Sequence, residues 1–147
     1  EEHIRTKWVL INIARLHIDL GEYKHAQNLL INVLESFINE YGENHLRTAE
    51  VFLELGRSFL LDHHYCLSNY YLNKSLQAFS KVSHLNEYLA LENLSNLYWS
   101  FYKDSLKKGD QLLSESYKEK SVDYLQKSMA IIKNKLPCLY FHFKKEY

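Results

Sequence analysis

The stretch LINIARLHIDLGEYKHAQNLLINVLESF, residues 10–37, decides the fold, because its apolar pattern recurs 42 positions later. The recurrence is FLELGRSFLLDHHYCLSNYYLNKSLQAF, residues 52–79. In each copy the apolar residues follow the spacing i, i+3, i+4, i+7, which predicts two amphipathic helices. Gly21 marks the turn between the two helices of the first copy. A period of about 20 to 50 residues is typical of helical hairpins that bury their apolar faces by stacking.

The first helix illustrates the expected packing. Its predicted buried stripe consists of Leu10, Ile13, Ala14 and His17. Because His17 stands where the later copies have an aromatic residue, we expect a partly buried histidine with a satisfied ring nitrogen.

A third copy begins 39 positions after the second, and its second helix lies 53 positions after the corresponding helix. Fourteen residues are therefore inserted inside this hairpin. The residues that define its first helix are Leu91, Leu94, Ser95 and Tyr98, and those that define its second are Ser121, Leu125, Ser128, Met129 and Ile132.

The position of the insertion follows from the segment Lys107–Asp110, which combines two cations, a glycine and a capping aspartate. That order is typical of a helix end followed by a helix start. Gly109 divides the fourteen residues equally, which predicts a third hairpin extended by about two turns per helix, roughly 10 Å. We expect Leu106, Leu113 and Tyr117 to close the extension.

The predicted architecture is all-α, a right-handed superhelix of three antiparallel helix hairpins within one domain, residues 1–147. The expected boundaries are about 5–41 for repeat 1, 45–82 for repeat 2 and 84–135 for repeat 3. Residues 136–147 are an apolar capping segment or a truncated fourth repeat. The absence of an initial Met indicates a piece of a longer protein.

Turn residues supply further expectations. His63 takes the place that glycine has in the first copy, and histidine is among the residues enriched at positive φ. Asp62 is predicted to cap the fourth helix and Ser83 the fifth. His45 and His84 occupy equivalent positions in the links between hairpins, where a capping role is favoured over catalysis.

Composition excludes several classes of function. Eighteen Lys and Arg balance eighteen Asp and Glu, which disfavours nucleic acid as a partner. No apolar run approaches the roughly 20 residues of a membrane span. Cys66 and Cys138 show no paired spacing, which favours buried thiols in a reducing, cytoplasmic compartment. His63, His64 and Cys66 are too few for a zinc site, so we expect no metal and no cofactor.

Small residues at matched positions of the paired helices give the chain its resemblance to a known family. The pairs are Ala14 with Ala26, Gly56 with Ser68, and Ser95 with Ser121. This pattern resembles the tetratricopeptide repeat over about residues 7–135, and the 42-residue period is similar to the kinesin light chain type of repeat. Leu46 and His63 depart from the proline and glycine usual in that subtype. The resemblance also suggests an association with the cytoskeleton.

The resemblance implies a non-catalytic adaptor or scaffold that binds a protein or peptide in a concave groove lined by first helices. It assigns the groove to Ile11, Arg15, Leu53, Arg57, Leu60, Glu92, Asn96 and Trp99. The two arginines would hold an acidic segment, and the apolar residues would accept its anchors.

Several alternatives stay open at this point. Arg15 pairs with Asp19, and Arg57 with Glu54, if the arginines are ordinary surface neighbours. The projecting third hairpin and apolar tail would instead lock the chain into a large assembly. An RNA-binding helical repeat is a further alternative. We expect no enzymatic activity, because no phosphate loop or nucleophile with a placed base appears. The oligomeric state is left open.

Overall fold

The computed structural model describes residues 2–135, with side chains from Arg5 onward, as six α-helices. The first compact unit contains α1 (Glu2–Asp19), α2 (Tyr23–Tyr41), α3 (Leu46–Leu61) and α4 (Tyr65–Lys81). The second contains α5 (Glu87–Lys107) and α6 (Gln111–Lys135). Residues 2–135 contain no strand, so the predicted all-α helical-repeat class is confirmed. The single-domain superhelix stays a prediction, and the expected capping segment, residues 136–147, lies outside the described residues.

All three hairpins turn through the same backbone motif. Gly21, His63 and Gly109 have φ angles of 79°, 60° and 76°. The backbone N–H of each donates to the carbonyl three residues earlier, and the next N–H donates to the carbonyl five residues earlier. This pair of hydrogen bonds satisfies carbonyls that the helix end would leave without partners. The turn at Gly109 and the left-handed His63 were both predicted from sequence.

The links between hairpins use histidine as expected. Nδ1 of His45 accepts a hydrogen bond of 3.2 Å from the backbone N–H of Arg47. Nδ1 of His84 accepts one of 3.2 Å from the backbone N–H of Asn86. In each case the ring satisfies a donor near the start of the following helix, which is a structural role.

Two of the predicted caps are wrong. Asp62 follows α3 as its C-cap and accepts a hydrogen bond of 3.1 Å from Nε2 of Gln27. Ser83 has a φ angle of 48°, and α5 begins four residues later at Glu87. A side chain cannot act as N-cap when several residues separate it from the first helical turn. At the third turn, by contrast, Oδ1 of Asp110 accepts from the backbone N–H of Leu113, as predicted.

The buried stripe of α1 differs from the predicted one by a rotation about the helix axis. Ile11, Ala14 and Ile18 are buried in a core that α2 and α3 share, whereas Ile13 is 39% exposed. Because α1 packs against α3 as well as against α2, the centre of its buried face is shifted from the predicted one. His17 is partly buried, and its Nδ1 lies 2.5 Å from Oε2 of Glu22, in agreement with the prediction.

The two helices of the second hairpin, α3 and α4, cross at Gly56, a residue without a side chain. Ser68 Oγ donates a hydrogen bond of 2.9 Å to the carbonyl oxygen of Gly56. A Cβ atom at Gly56 would lie 2.6 Å from Cγ and Cδ2 of Leu72, a residue that is itself completely buried. Only glycine fits at this position, because a larger residue would clash with Leu72. At the matching positions of the first hairpin, Ala14 and Ala26 are completely buried.

The two helices of the third hairpin, α5 and α6, cross at serine residues instead. Ser95 Oγ donates to the carbonyl of Ser121 at 2.8 Å, and Ser121 Oγ donates to the carbonyl of Ser95 at 2.9 Å. Ser114, Ser121 and Ser128 recur every seven residues along α6 and are all buried. A seven-residue period is typical of two helices that pack along a continuous seam.

The extension of the third hairpin is present: α5 has 21 residues and α6 has 25, against 16 and 17 for α3 and α4. Its contacts differ in part from those predicted. Leu106 and Leu113 are exposed, because the buried seam runs through their neighbours Ser105 and Ser114. Tyr117 does pack as expected, with its ring 5.3 Å from that of Phe101.

Candidate partner-binding surface

In the first unit, both predicted binding arginines are engaged in ion pairs between α1 and α3. Nε of Arg15 lies 2.8 Å from Oε1 of Glu54. Nη2 of Arg57 lies 2.6 Å from Oδ1 of Asp19, and its Nη1 lies 3.7 Å from Oε2 of Glu54. We call these four residues the arginine network. It neutralises the charges that were expected to face a partner.

The members of the arginine network differ in exposure. Glu54 is buried, and its Oε2 accepts no hydrogen bond from the described residues. The side chain of Asp19 is 60% exposed. Sequence reasoning paired Arg57 with Glu54, which is observed, but paired Arg15 with Asp19 rather than with Glu54. The bridge between helices was missed because a contact between two repeats has no fixed spacing in the sequence.

Three of the apolar residues that were predicted to accept a partner's anchors do not present a free surface. Ile11 is completely buried in the core of the first unit. Leu53 and Leu60 on α3 are also buried. The expectation that these side chains accept a partner is therefore corrected: they contribute to packing, because α3 is buried around most of its circumference.

The predicted residues of α5 lie on its exposed side. Glu92, Asn96 and Trp99 are all exposed, and their spacing of four and three residues places them on one helix face. The ring of Trp99 lies 4.8 Å from that of Tyr102, one turn further on. Desolvation raises the pKa of the Glu92 carboxyl, although its side chain reaches solvent. We call Glu92, Asn96 and Trp99 the α5 strip.

The α5 strip combines the chemistry that peptide recognition needs. The amide of Asn96 can both donate to and accept from the backbone of an extended chain. Trp99 offers a large apolar surface with one polar edge, which is common at the centre of interfaces. Glu92 attracts a hydrogen-bond donor or a cation.

A second exposed feature lies at the turn of the third hairpin. Leu112 is 87% exposed, and Leu106 and Leu113 beside the same turn are 48% and 41% exposed. We call these three leucines the hairpin tip. Sequence reasoning did not single out Leu112, although the leucine pair that begins two residues after the capping Asp110 was visible.

Other kinds of site have little support within residues 2–135. Among the described side chains, from Arg5 to Lys135, no three His, Cys, Asp or Glu residues form a group that could hold a metal ion. The thiol of Cys66 is exposed, which corrects the expectation of a buried thiol, and Cys138 lies outside the described residues. None of the described helices is both long and apolar enough to span a bilayer.

Within residues 2–135, six helices form hairpins with repeated turns and with small residues at the helix crossings, which defines a helical-repeat protein. The family model for the tetratricopeptide repeat matches residues 5–81, slightly more than half of the chain. The chain belongs to the tetratricopeptide repeat family, whose repeats are non-catalytic and generally mediate protein–protein interactions. No curated protein and no solved structure matches it.

Proposed function

We propose that this chain is a non-catalytic adaptor that binds another protein through the α5 strip. The observation that carries the proposal is the exposure of Trp99, at 44%, on the same helix face as Asn96 and Glu92. Tryptophan is among the residues enriched in interaction hot spots, and Asn96 and Glu92 add polar groups on the same helix face. The partner would be an extended segment with an apolar side chain for Trp99 and backbone groups for Asn96.

The arginine network offers a second contact to an acidic partner, at Arg57 rather than at Arg15. Asp19 is largely exposed, and an exposed ion pair contributes little to stability. A partner carboxylate can therefore take the place of Asp19 beside Arg57. Glu54 is buried between both arginines, so its displacement from Arg15 would leave a buried charge without a partner.

Quantitative affinity capture with variants of the chain as bait tests the proposal. We expect Trp99→Ala to lower the retention of specifically bound proteins by about tenfold or more, because removal of a hot-spot aromatic typically costs that much affinity. Leu16→Ser is the matched control, since Leu16 is an apolar residue on α1 that is 59% exposed, more than Trp99. Equal retention by the parent chain and Trp99→Ala would refute the role of the α5 strip.

The hairpin tip supports a second candidate function, in which the third hairpin inserts into a pocket of a large assembly. Leu112 carries this alternative, because its 87% exposed side chain lies beside two further exposed leucines, and a contiguous apolar patch is typical of an interaction site. Leu112→Ser would then abolish capture while Trp99→Ala leaves it intact. The opposite pattern supports the α5 strip, so the same set of baits separates the two candidates.

Three finer assignments belong to the same proposal. The 42-residue period and the matched histidine caps at His45 and His84 support a kinesin light chain type of repeat. A reducing cytoplasmic compartment, with an association with the cytoskeleton, would suit that type. Balanced charge favours a protein over a nucleic acid as partner, and salt-sensitive binding to single-stranded RNA would contradict this.

A further inference from the structure

One side of α1 is apolar and open to solvent. Four apolar residues on this side are 39% to 64% exposed, and their spacing of four, three and four residues places them on one face. They are Val9, Ile13, Leu16 and Leu20. Leu20 directly follows α1, and its backbone N–H still donates to the carbonyl of Leu16 at 3.0 Å. We call these four residues the α1 outer face.

The equivalent positions of α3 are completely buried. Val9, Ile13 and Leu16 correspond, 42 positions later, to Val51, Leu55 and Ser58. Val51 and Leu55 share one core cluster with three residues of α2, which are Leu30, Leu34 and Phe37. In the second repeat, the second helix of the preceding repeat therefore covers the face that is exposed on α1.

The residues of α6 that correspond to this surface of α2 are also exposed. By the repeat register, Gln27, Leu30, Leu34 and Phe37 correspond to Val122, Leu125, Met129 and Ile132. The first three of these α6 residues are 43% to 45% exposed, and Ile132 is half-buried. We call the four the α6 outer face. The chain thus exposes both halves of a contact that it makes internally between α2 and α3.

The two outer faces differ from the internal contact in a matched way. Between α2 and α3, Nε2 of Gln27 lies 3.4 Å from Oγ of Ser58 and 3.1 Å from Oδ2 of Asp62. The equivalent residues on the outer faces are all apolar, namely Val122, Leu16 and Leu20. An apolar residue opposite a buried amide would leave the amide without a hydrogen-bond partner, whereas a change on both sides leaves no such group. The two outer faces therefore complement each other.

We propose that the α1 outer face of one chain binds the α6 outer face of a second copy, in the way that α3 binds α2. This contact joins two different surfaces, so the copies assemble head to tail into rings or open filaments. One helix face on each side is a small interface of the kind found in transient complexes, so we expect a dissociation constant between about 1 µM and 1 mM. Self-association is separate from the proposed adaptor function of the α5 strip, and Leu16→Ser stays a control for the capture of a different protein.

Two complementary variants of the full chain test the inference by sedimentation equilibrium. Leu16→Glu blocks the α1 outer face, and Leu125→Glu blocks the α6 outer face. The average mass of the parent should rise with concentration, and each variant alone should associate at least about tenfold more weakly, because burial of an unpaired carboxylate is unfavourable. An equimolar mixture should form a one-to-one complex and nothing larger, since one intact face of each kind remains. Leu67→Glu, at an exposed position of α4, should associate like the parent.

Each other result overturns the inference. If one of the two variants associates alone as strongly as the parent, the contact uses a single face twice. A parent chain that stays monomeric up to about 1 mM contradicts the expected affinity. A mixture that forms no complex also contradicts it, provided that far-UV circular dichroism shows the helix content of the parent in both variants.

Disulfide trapping tests the register of the contact without the glutamate variants. Every chain carries Cys66→Ser and Cys138→Ser, so that each has one introduced thiol. A chain with Leu16→Cys should link to a chain with Val122→Cys at least about tenfold faster than to a chain with Met129→Cys, because a disulfide needs Cα atoms within about 7 Å. Met129 is about as exposed as Val122 but lies about 10 Å further along α6. Equal rates for the two pairs, measured by peptide mass spectrometry, would overturn the proposed contact.

Discussion

At the crossing of α3 and α4 the close approach depends on an absent side chain, whereas at the crossing of α5 and α6 it depends on two hydroxyl groups. Gly56 leaves no room for a methyl group beside Leu72. Ser95 and Ser121 instead donate hydrogen bonds to each other's carbonyl oxygens. The same position of the repeat is thus defined by space in one hairpin and by polar contacts in the other.

The difference teaches what each hairpin tolerates. A steric crossing is sensitive to added volume, because a packed neighbour must move or strain. A hydrogen-bonded crossing is sensitive to the loss of donors, and each neutral bond contributes only about 0.5–1.5 kcal/mol net. The α3–α4 hairpin should therefore respond more strongly to single substitutions than the α5–α6 hairpin. The two tryptophans, Trp8 in the first unit and Trp99 in the second, allow each unit to be followed separately.

The largest effect is expected from Leu72→Ala. Leu72 is completely buried against Gly56, and truncation of a buried leucine typically costs about 2–5 kcal/mol of unfolding free energy. Urea denaturation followed by Trp8 fluorescence, in a Trp99→Phe background, measures the loss. Leu67→Ala, at an exposed position of the same helix, is the control. A loss below about 1 kcal/mol for Leu72→Ala would contradict the packing described for this crossing.

Gly56→Ala should have the next largest effect. The added methyl group meets Leu72 and costs about 1–3 kcal/mol, and the better helix propensity of alanine returns about 1 kcal/mol. In a Leu72→Ala background the clash with the leucine side chain disappears, and only the backbone nitrogen of residue 72, 3.1 Å from the added Cβ, remains close. The same substitution should therefore cost at least about 1 kcal/mol less in that background. This reduced cost, measured by the same denaturation, distinguishes a steric cause from any other. An equal effect in both backgrounds would rule out the clash.

A smaller effect is expected from Ser95→Ala and Ser121→Ala. Each removes one hydrogen bond without adding volume, at a cost of about 0.5–1.5 kcal/mol. The two hydroxyl oxygens are 3.1 Å apart, so the double substitution should cost less than the sum of the two. Trp99 fluorescence in a Trp8→Phe background reports on this unit, with exposed Ser116→Ala as control. Strict additivity would mean that the two serines act independently.

Much of the fold could be predicted from the sequence because it is encoded locally and repeated. The 42-residue period, the turns at Gly21 and Gly109, and the left-handed His63 all follow from residue types at fixed spacing. The extension of the third hairpin followed from the same register. Ser121 and Ser128 of the buried serine seam were placed on the packing face of α6 by the same register, whereas Ser114 was not singled out, although it continues the seven-residue period.

The candidate site was less predictable, because exposure depends on contacts between repeats. The repeat positions of Ile11 and Leu53 predict that both side chains face a partner, yet neighbouring helices bury them. Arg15 pairs with Glu54, 39 positions away, and no local rule specifies that partner. Trp99 is 44% exposed, in agreement with its predicted place on the surface.

The smallest effect is predicted for a substitution of Glu92, which lies in the α5 strip. Desolvation raises its pKa above the usual 4.5, so the folded chain holds this proton more tightly than the unfolded chain. This contribution to stability is complete below about pH 4 and is lost as pH rises through the elevated pKa. Glu92→Gln should therefore match the parent near about pH 4 and be slightly more stable near about pH 7. Melting temperatures at the two pH values measure this, with Asn96→Ala as a control that cannot titrate. A Glu92→Gln chain that is less stable near neutral pH would mean that the carboxylate has a stabilising donor beside it. The carboxylate of the α5 strip would then be paired within the chain, like the charges of the arginine network, and the strip would not be an open binding surface.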